Sequence, residues 1–174
     1  MANLDPWSYA AKTRSEHAEQ VALFMWANMA MNFGRHTADF PASYNKPGWA
    51  AAYSKDAIES GNDYLMPELK WLHAISNHGA GFGRKAEGVK TGVADIFLPV
   101  PVLPGALTWI LTKDSYFGLY IELKRLDSEG KKAGVASDKQ IEFQNDMRAK
   151  GYRHEVIFGW ELARDCILSY LNRS

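Results

Sequence analysis

The alternation of apolar and polar positions along this chain predicts short helices and strands in turn. Ser15 precedes an acidic turn with Glu16 and Glu19, and apolar residues then continue to about Met31. This is the pattern of a helix with a capped N-terminus. Four later segments are short and apolar and are predicted strands: residues 95–102, 107–111, 117–126 and 154–158.

Three further helices complete the pattern. Residues 67–72 predict a short helix, Ser137 caps a longer helix that ends at Gly151, and residues 160–171 predict a closing helix. The order helix, three strands, helix, strand, helix is typical of an α/β domain. It implies a mixed central sheet that is flanked by helices.

One domain is expected over residues 1–174, with its first helix at 15–31 and its core at 67–172. Between them, residues 32–65 are broken by proline and glycine but are rich in aromatic side chains. That composition predicts an ordered insertion or lid. Two tryptophans, Trp49 and Trp109, are candidates for stacking on bases or for an interface.

Composition excludes several classes of protein. The chain carries 20 basic and 20 acidic side chains and no net charge, which argues against coating nucleic acid by bulk electrostatics. A single cysteine, Cys166, excludes an internal disulfide framework and a multi-cysteine zinc site. We expect it to pack as a core thiol beside Leu162 and Tyr170. The absence of a long apolar run and of a signal-peptide pattern predicts a cytoplasmic protein without membrane contact.

Candidate chemistry lies in two of the predicted strands. Asp95 follows a turn at Gly92 and opens one strand, and Glu122 and Lys124 lie two residues apart, on one face of another. A carboxylate and an ammonium on a buried strand are costly unless they form a site. Two carboxylates that hold Mg²⁺ or Mn²⁺ beside a lysine can hydrolyse a phosphodiester bond. The alternative interpretation is a structural ion pair.

Basic side chains flank both candidate acids along the chain. Such runs are often only solvated loop faces, but their position beside the predicted site makes them candidates for phosphate contacts. The residues concerned are Arg84, Lys85 and Lys90 before the first acid, and Arg125, Lys131 and Lys132 after the second.

These residues belong to a longer series of short motifs. The segments Gly92-Val93-Ala94-Asp95 and Ile121-Glu122-Leu123-Lys124 resemble the metal-binding core of the PD-(D/E)xK nuclease superfamily. The whole series is similar to the VRR-NUC (virus-type replication-repair nuclease) family, particularly to its small stand-alone phage members. The other matching motifs are Ser15–Gln20, Ile75–Gly79, residues 87–93, Ser137–Gln140, Gly151-Tyr152 and Gly159–Glu161. The resemblance covers residues 15–31 and 67–172 and leaves out the insertion.

The resemblance implies a restriction-endonuclease-like core and a role for each matching residue. Lys124 would be the catalytic lysine, and Gln140 would point into the site and hold Lys124 or a phosphate. Asn77 would lie in a DNA-contacting loop. The metal ligands would be Asp95, Glu122, the Leu123 carbonyl and Glu16.

Some positions leave alternatives open. Glu19 competes with Glu16, but only Glu16 stands four residues before Gln20, as the family's first-helix motif does. Ala94 stands where the family usually has proline, a departure that affects a turn and removes no ligand. The histidines lack a paired metal-ligand spacing and are expected to be structural or DNA-contacting: His17, His73, His78 and His154.

The predicted activity is that of a metal-dependent DNA endonuclease. By resemblance, it would cut branched DNA such as Holliday junctions as a homodimer, in the host cytoplasm if the chain is phage-encoded. One alternative is a catalytically inactive, structure-selective DNA-binding module. Another is a nuclease of broader duplex or flap specificity.

Overall fold

The computed structural model describes residues 6–13, 15–33, 65–76, 90–103, 114–126 and 135–171. The chain divides into two compact units, Met1–Lys70 and Trp71–Ser174. This boundary falls close to residue 67, where the predicted core begins. That both units belong to one domain stays a prediction. Most of the predicted insertion lies outside the described residues, as do Trp49 and Trp109.

The described part of the first unit begins with two helices, α1 over Pro6–Thr13 and α2 over Glu16–Phe33. The hydroxyl of Ser15 accepts a hydrogen bond from the Ala18 N–H at 3.1 Å, which is the cap that the sequence predicts for α2. Helix α1 was not predicted, although proline at the first helical position is a common start signal. A 3₁₀-helix follows over Pro67–Trp71, close to the predicted short helix.

Within the described residues, the second unit contains a mixed sheet of four strands: β1 His73–Ala74, β2 Ile96–Leu98, β3 Leu119–Lys124 and β4 Arg153–Phe158. They lie in the order β1-β2-β3-β4. Strands β1 and β2 pair antiparallel, as do β2 and β3, whereas β3 and β4 pair parallel. Helix α3, Asp138–Ala149, connects β3 to β4, and helix α4, Trp160–Leu171, follows β4. The α/β class with a mixed central sheet flanked by helices is thereby confirmed.

Two observed strands differ from the prediction. Strand β2 ends at Leu98, before the predicted end at residue 102, because Pro99 and Pro101 lack the N–H groups that a ladder needs. Strand β1 was not predicted, since two residues show no periodicity. The predicted strand at 107–111 lies outside the described residues.

Side chains of β3 and β4 alternate between two faces of the sheet. Phe143 of α3 packs edge-on against Tyr120 and His154, so α3 covers the face that also carries Glu122 and Lys124. Helix α4 contacts both strands from the other face. Because helices cover both faces, the charged pair is held in the interior, with Glu122 1% and Lys124 7% exposed.

Helix α4 spans the predicted residues, and its buried face matches the predicted apolar face only in part. Leu162, predicted to be apolar core, is 57% exposed, and Cys166 is half-buried. Burial raises the pKa of the Cys166 thiol to about 11, which supports the prediction that it is not a nucleophile. The buried residues of α4 are Trp160, Ala163, Ile167 and Tyr170. No described helix combines the length and apolar character that a membrane crossing requires.

Candidate functional site

Two carboxylates stand opposite each other, one directly before β2 and one on β3. Ile96 pairs with Ile121 in the antiparallel register, so the preceding residue, Asp95, faces Glu122. Residues in this relation have Cβ atoms about 4.5–5.5 Å apart. The Asp95 carboxylate also bonds to β3, because its Oδ2 accepts the Leu123 N–H at 2.9 Å. The structure therefore brings together the two acids that the sequence selected.

The backbone at Leu123 contributes a third oxygen at the same place. The N–H and C=O of one strand residue point to the same edge of the strand. Since the Leu123 N–H points to Asp95, its carbonyl lies on that edge as well. The predicted ligand oxygens of Asp95 and Leu123 therefore lie on one side of β3.

Lys124 forms a buried ion pair with Glu122. Its Nζ lies 2.6 Å from Oε1 of Glu122, and the two side chains are 9% and 1% exposed. Removing two charges from water costs several kcal/mol per ion, and their attraction often fails to offset this. The buried pair is therefore expected to add little to the stability of the fold, and its burial favours a chemical role.

Gln140, in the first turn of α3, reaches the same acid. Its Nε2 donates a hydrogen bond to Oε1 of Glu122. The resemblance implies that Gln140 holds Lys124 or a phosphate, so the observed partner differs from the predicted ones. The other end of the amide takes part in a capping box with Ser137. Glu122 Oε1 thus receives two donors, one from β3 and one from α3.

Gly92 lets the segment that carries Asp95 approach α3 closely. Its φ is +87°, and an added Cβ would lie 2.6 Å from the Cβ and 2.8 Å from the backbone carbonyl carbon of Lys139. The hydroxyl of Thr91 accepts a hydrogen bond from Lys139 Nζ at 3.3 Å. Glycine is therefore required here for both backbone conformation and space.

Gly92→Ala is expected to lower the unfolding free energy by about 1–3 kcal/mol, because it combines a positive φ with a backbone clash. It should also lower any activity of the site, because Asp95 follows on the displaced segment. Gly151→Ala is the matched control, since its φ of +82° is similar but its added Cβ would meet the Phe117 ring. Thermal unfolding and cleavage assays should show two destabilised variants, of which only Gly92→Ala loses activity in the folded state.

The other predicted residues are distributed as follows. Lys90 is exposed at the start of the Asp95 segment, and Arg125 is half-buried directly after β3. In the first unit Glu16 is exposed on α2, whereas Glu19 is only 4% exposed. Five predicted DNA contacts lie outside the described residues: Asn77, Arg84, Lys85, Lys131 and Lys132.

An aromatic cluster next to the acids was not foreseen. The rings of Phe97 and Tyr120 stack at 4.2 Å, and Tyr152 lies edge-on to both. Tyr120 lies two residues before Glu122 and thus on the same face, a relation that the alternation of strand residues could have indicated. Burial, together with the nearby Tyr152, raises the pKa of Tyr120. The three rings form an apolar surface beside the charged pair.

His154 lies behind this cluster and is 2% exposed. Its ring stacks beside Tyr120, and its pKa is lowered to about 4, chiefly by burial and secondarily by the nearby Arg148. It is therefore neutral at pH 7. This agrees with the structural role that the sequence predicts and does not suit a general base.

The donor set suits a hard cation. The carboxylates of Asp95 and Glu122 and the Leu123 carbonyl are all oxygen ligands, which Mg²⁺ and Mn²⁺ prefer. Within the described parts of the chain, no three His, Cys, Asp or Glu side chains come together as a metal cage. Mg²⁺ does not need such a cage, because one or two carboxylates usually bind it together with water and substrate phosphate.

Comparison with known proteins adds little to this geometry. No protein family and no curated protein matches the chain. Among solved structures, the chain is similar to a "VRR_NUC domain protein", with 24% identity and a TM-score of 0.44 over 62% of this chain and 73% of the other. A structural similarity this low shows nothing about the activity of this chain.

Proposed function

We propose that this chain is a metal-dependent DNA endonuclease that hydrolyses phosphodiester bonds. The observation that carries the proposal is the buried Glu122, which pairs with Lys124 at 2.6 Å and stands opposite Asp95, the residue directly before β2. Two acids and one lysine in this order along two strands are also the pattern that resembles the PD-(D/E)xK core.

Three groups of the second unit would hold the metal: the carboxylates of Asp95 and Glu122 and the carbonyl of Leu123. When bound, Mg²⁺ or Mn²⁺ would neutralise charge on the phosphate and lower the pKa of a water ligand. The hydrogen bond from the Leu123 N–H to Oδ2 fixes the orientation of the Asp95 carboxylate. Gln140 and Lys124 fix Glu122 through its Oε1.

Lys124 would act directly on the reacting groups. Its ammonium is held by Glu122 within a buried site, where a charge interacts more strongly than in water. From there it can orient the attacking water and stabilise the negative charge that develops on the phosphate oxygens. The bond from phosphorus to the leaving oxygen then breaks as the water oxygen bonds to phosphorus.

The finer specificity follows from the resemblance to stand-alone VRR-NUC proteins. We propose branched DNA, such as a Holliday junction, as the substrate and a homodimer as the active form. Two sites related by a two-fold axis suit a substrate with the same symmetry. We propose that Lys90, which is exposed at the start of the Asp95 segment, contacts a phosphate.

A cleavage panel tests this proposal. Wild type and Lys124→Ala would be incubated with labelled four-way junction, flap, duplex and single-stranded DNA, in Mg²⁺, Mn²⁺ or EDTA. We expect paired, metal-dependent nicks near the junction centre that are lost in the variant. Equal cutting of all substrates would replace the branched-DNA proposal with a broader nuclease. Junction binding without cutting in either metal would support the inactive module instead.

The first-helix glutamate is tested by a pair of variants. The resemblance implies Glu16 as a metal ligand, and Glu19 is its competitor on the same helix. We expect Glu16→Gln to lower cleavage by about 10-fold or more and Glu19→Gln by less than about threefold. Single-turnover rates at saturating Mg²⁺ measure both, and thermal unfolding checks that the variant at the buried Glu19 still folds. The opposite ranking would assign the role to Glu19.

A further inference from the structure

Both ends of the Gln140 amide are engaged. At one end, Oε1 accepts the Ser137 N–H at 2.8 Å and the Ser137 hydroxyl at 3.2 Å. At the other end, Nε2 donates to the Oε1 of Glu122. The N-cap of α3 is thereby connected through one side chain to a proposed metal ligand.

This arrangement fixes which end of the amide faces the acid. An amide has one accepting end and one donating end, and a flip would aim Nε2 at the donors of Ser137 and Oε1 at the carboxylate of Glu122. We propose that Ser137 is a positioning residue for Glu122, acting through Gln140. The inference rests on the proposed function, because it concerns the same site.

The capping box alone does not explain a glutamine at position 140. In the S/T-x-x-E/Q box, glutamate and glutamine serve equally well, since both accept the N-cap N–H. Only glutamine also presents a donor to Glu122, whereas glutamate would place a second carboxylate against it. The requirement for Gln140 therefore comes from Glu122. The Ser137 hydroxyl caps α3 and in addition donates to the amide oxygen of Gln140, whereas the Ser137 N–H would be present with any residue other than proline at that position.

A double-mutant cycle tests the connection. Ser137→Ala, Gln140→Ala and the double variant would be compared by Mn²⁺ titration with electron paramagnetic resonance and by single-turnover cleavage. We expect Gln140→Ala to weaken Mn²⁺ binding by about 10- to 100-fold and Ser137→Ala by about two- to tenfold. The double variant should match Gln140→Ala, because the proposal has Ser137 act on Glu122 through Gln140. Ser137→Thr should restore wild-type affinity.

Two further variants separate positioning from helix stability. Ala149→Gly weakens α3 at its far end and should leave Mn²⁺ affinity unchanged. Gln140→Glu keeps the capping box but faces Glu122 with like charge, so the metal-free protein should melt below Gln140→Ala. Full additivity in the cycle, or a Ser137→Ala variant that melts earlier with unchanged Mn²⁺ affinity, would overturn the inference alone. Wild-type protein that neither binds Mn²⁺ nor cuts DNA would overturn the proposed function as well.

Discussion

Glu122→Gln is expected to lower metal-dependent DNA cleavage by about 10²–10³-fold. The substitution preserves the size of the side chain but removes the charge that would bind the cation. It also leaves the Lys124 ammonium, 2.6 Å away, without its counter-charge in a site that is almost closed to water. Single-turnover rates on junction DNA measure the loss. Glu142→Gln makes the same chemical change at an exposed position of α3 and should cut at the wild-type rate.

Stability must be measured in the same series, because a lone buried charge destabilises the fold. Breaking a buried ion pair by removing one partner costs about 3–5 kcal/mol. The double variant Glu122→Gln, Lys124→Met removes both charges and should recover much of that loss while staying inactive. A folded Glu122→Gln protein that cuts as fast as wild type would remove Glu122 from the mechanism.

Acid is expected to destabilise the second unit through His154. Its pKa is about 4 in the folded protein, against about 6.5 for an unperturbed histidine. Between these values the unfolded chain binds the proton and the folded chain does not, so the unfolding free energy falls as the pH falls. The contribution of His154 is fully present above pH 6.5 and is lost progressively down to about pH 4. The difference amounts to roughly 3 kcal/mol.

Denaturant unfolding at a series of pH values measures this effect. Burial is the main cause of the lowered pKa, Arg148 adds to it, and Glu155 opposes it. His154→Leu has similar volume and no titrating group, so its stability should change less between pH 6.5 and pH 4. If the unfolding free energies of the two proteins fall equally between pH 6.5 and pH 4, groups other than His154 cause the acid sensitivity.

Local chemistry explains which elements could be predicted from the sequence. Ser137 and Gly151 bound α3 as expected, because a cap and a residue of positive φ act within a few positions along the chain. Strand β3 was predicted for a similar reason, since six consecutive residues suffice to show a strand. Helix α1 was missed because the polar start of the chain hid the signal at Pro6.

Tertiary contacts explain what could not be predicted. From the sequence, Gln140 was expected to contact Lys124 or a phosphate. Its contact with Glu122 depends on how α3 packs against β3. The position of Asp95 opposite Glu122 depends on a register that the intervening chain does not reveal. The neutrality of His154 arises from packing against Tyr120 and Phe143, which are distant in sequence. The exposed Leu162 similarly reflects how α4 rotates against the sheet.

Anomalous diffraction from crystals grown with Mn²⁺ shows whether Asp95 and Glu122 hold a catalytic cation. We expect an anomalous peak about 2.0–2.3 Å from a carboxylate oxygen of each residue. The same peak should be absent from crystals of Glu122→Gln protein. A Mn²⁺ ion bound elsewhere, in wild-type protein that still cuts DNA with Mn²⁺, would exclude these two carboxylates as the metal site.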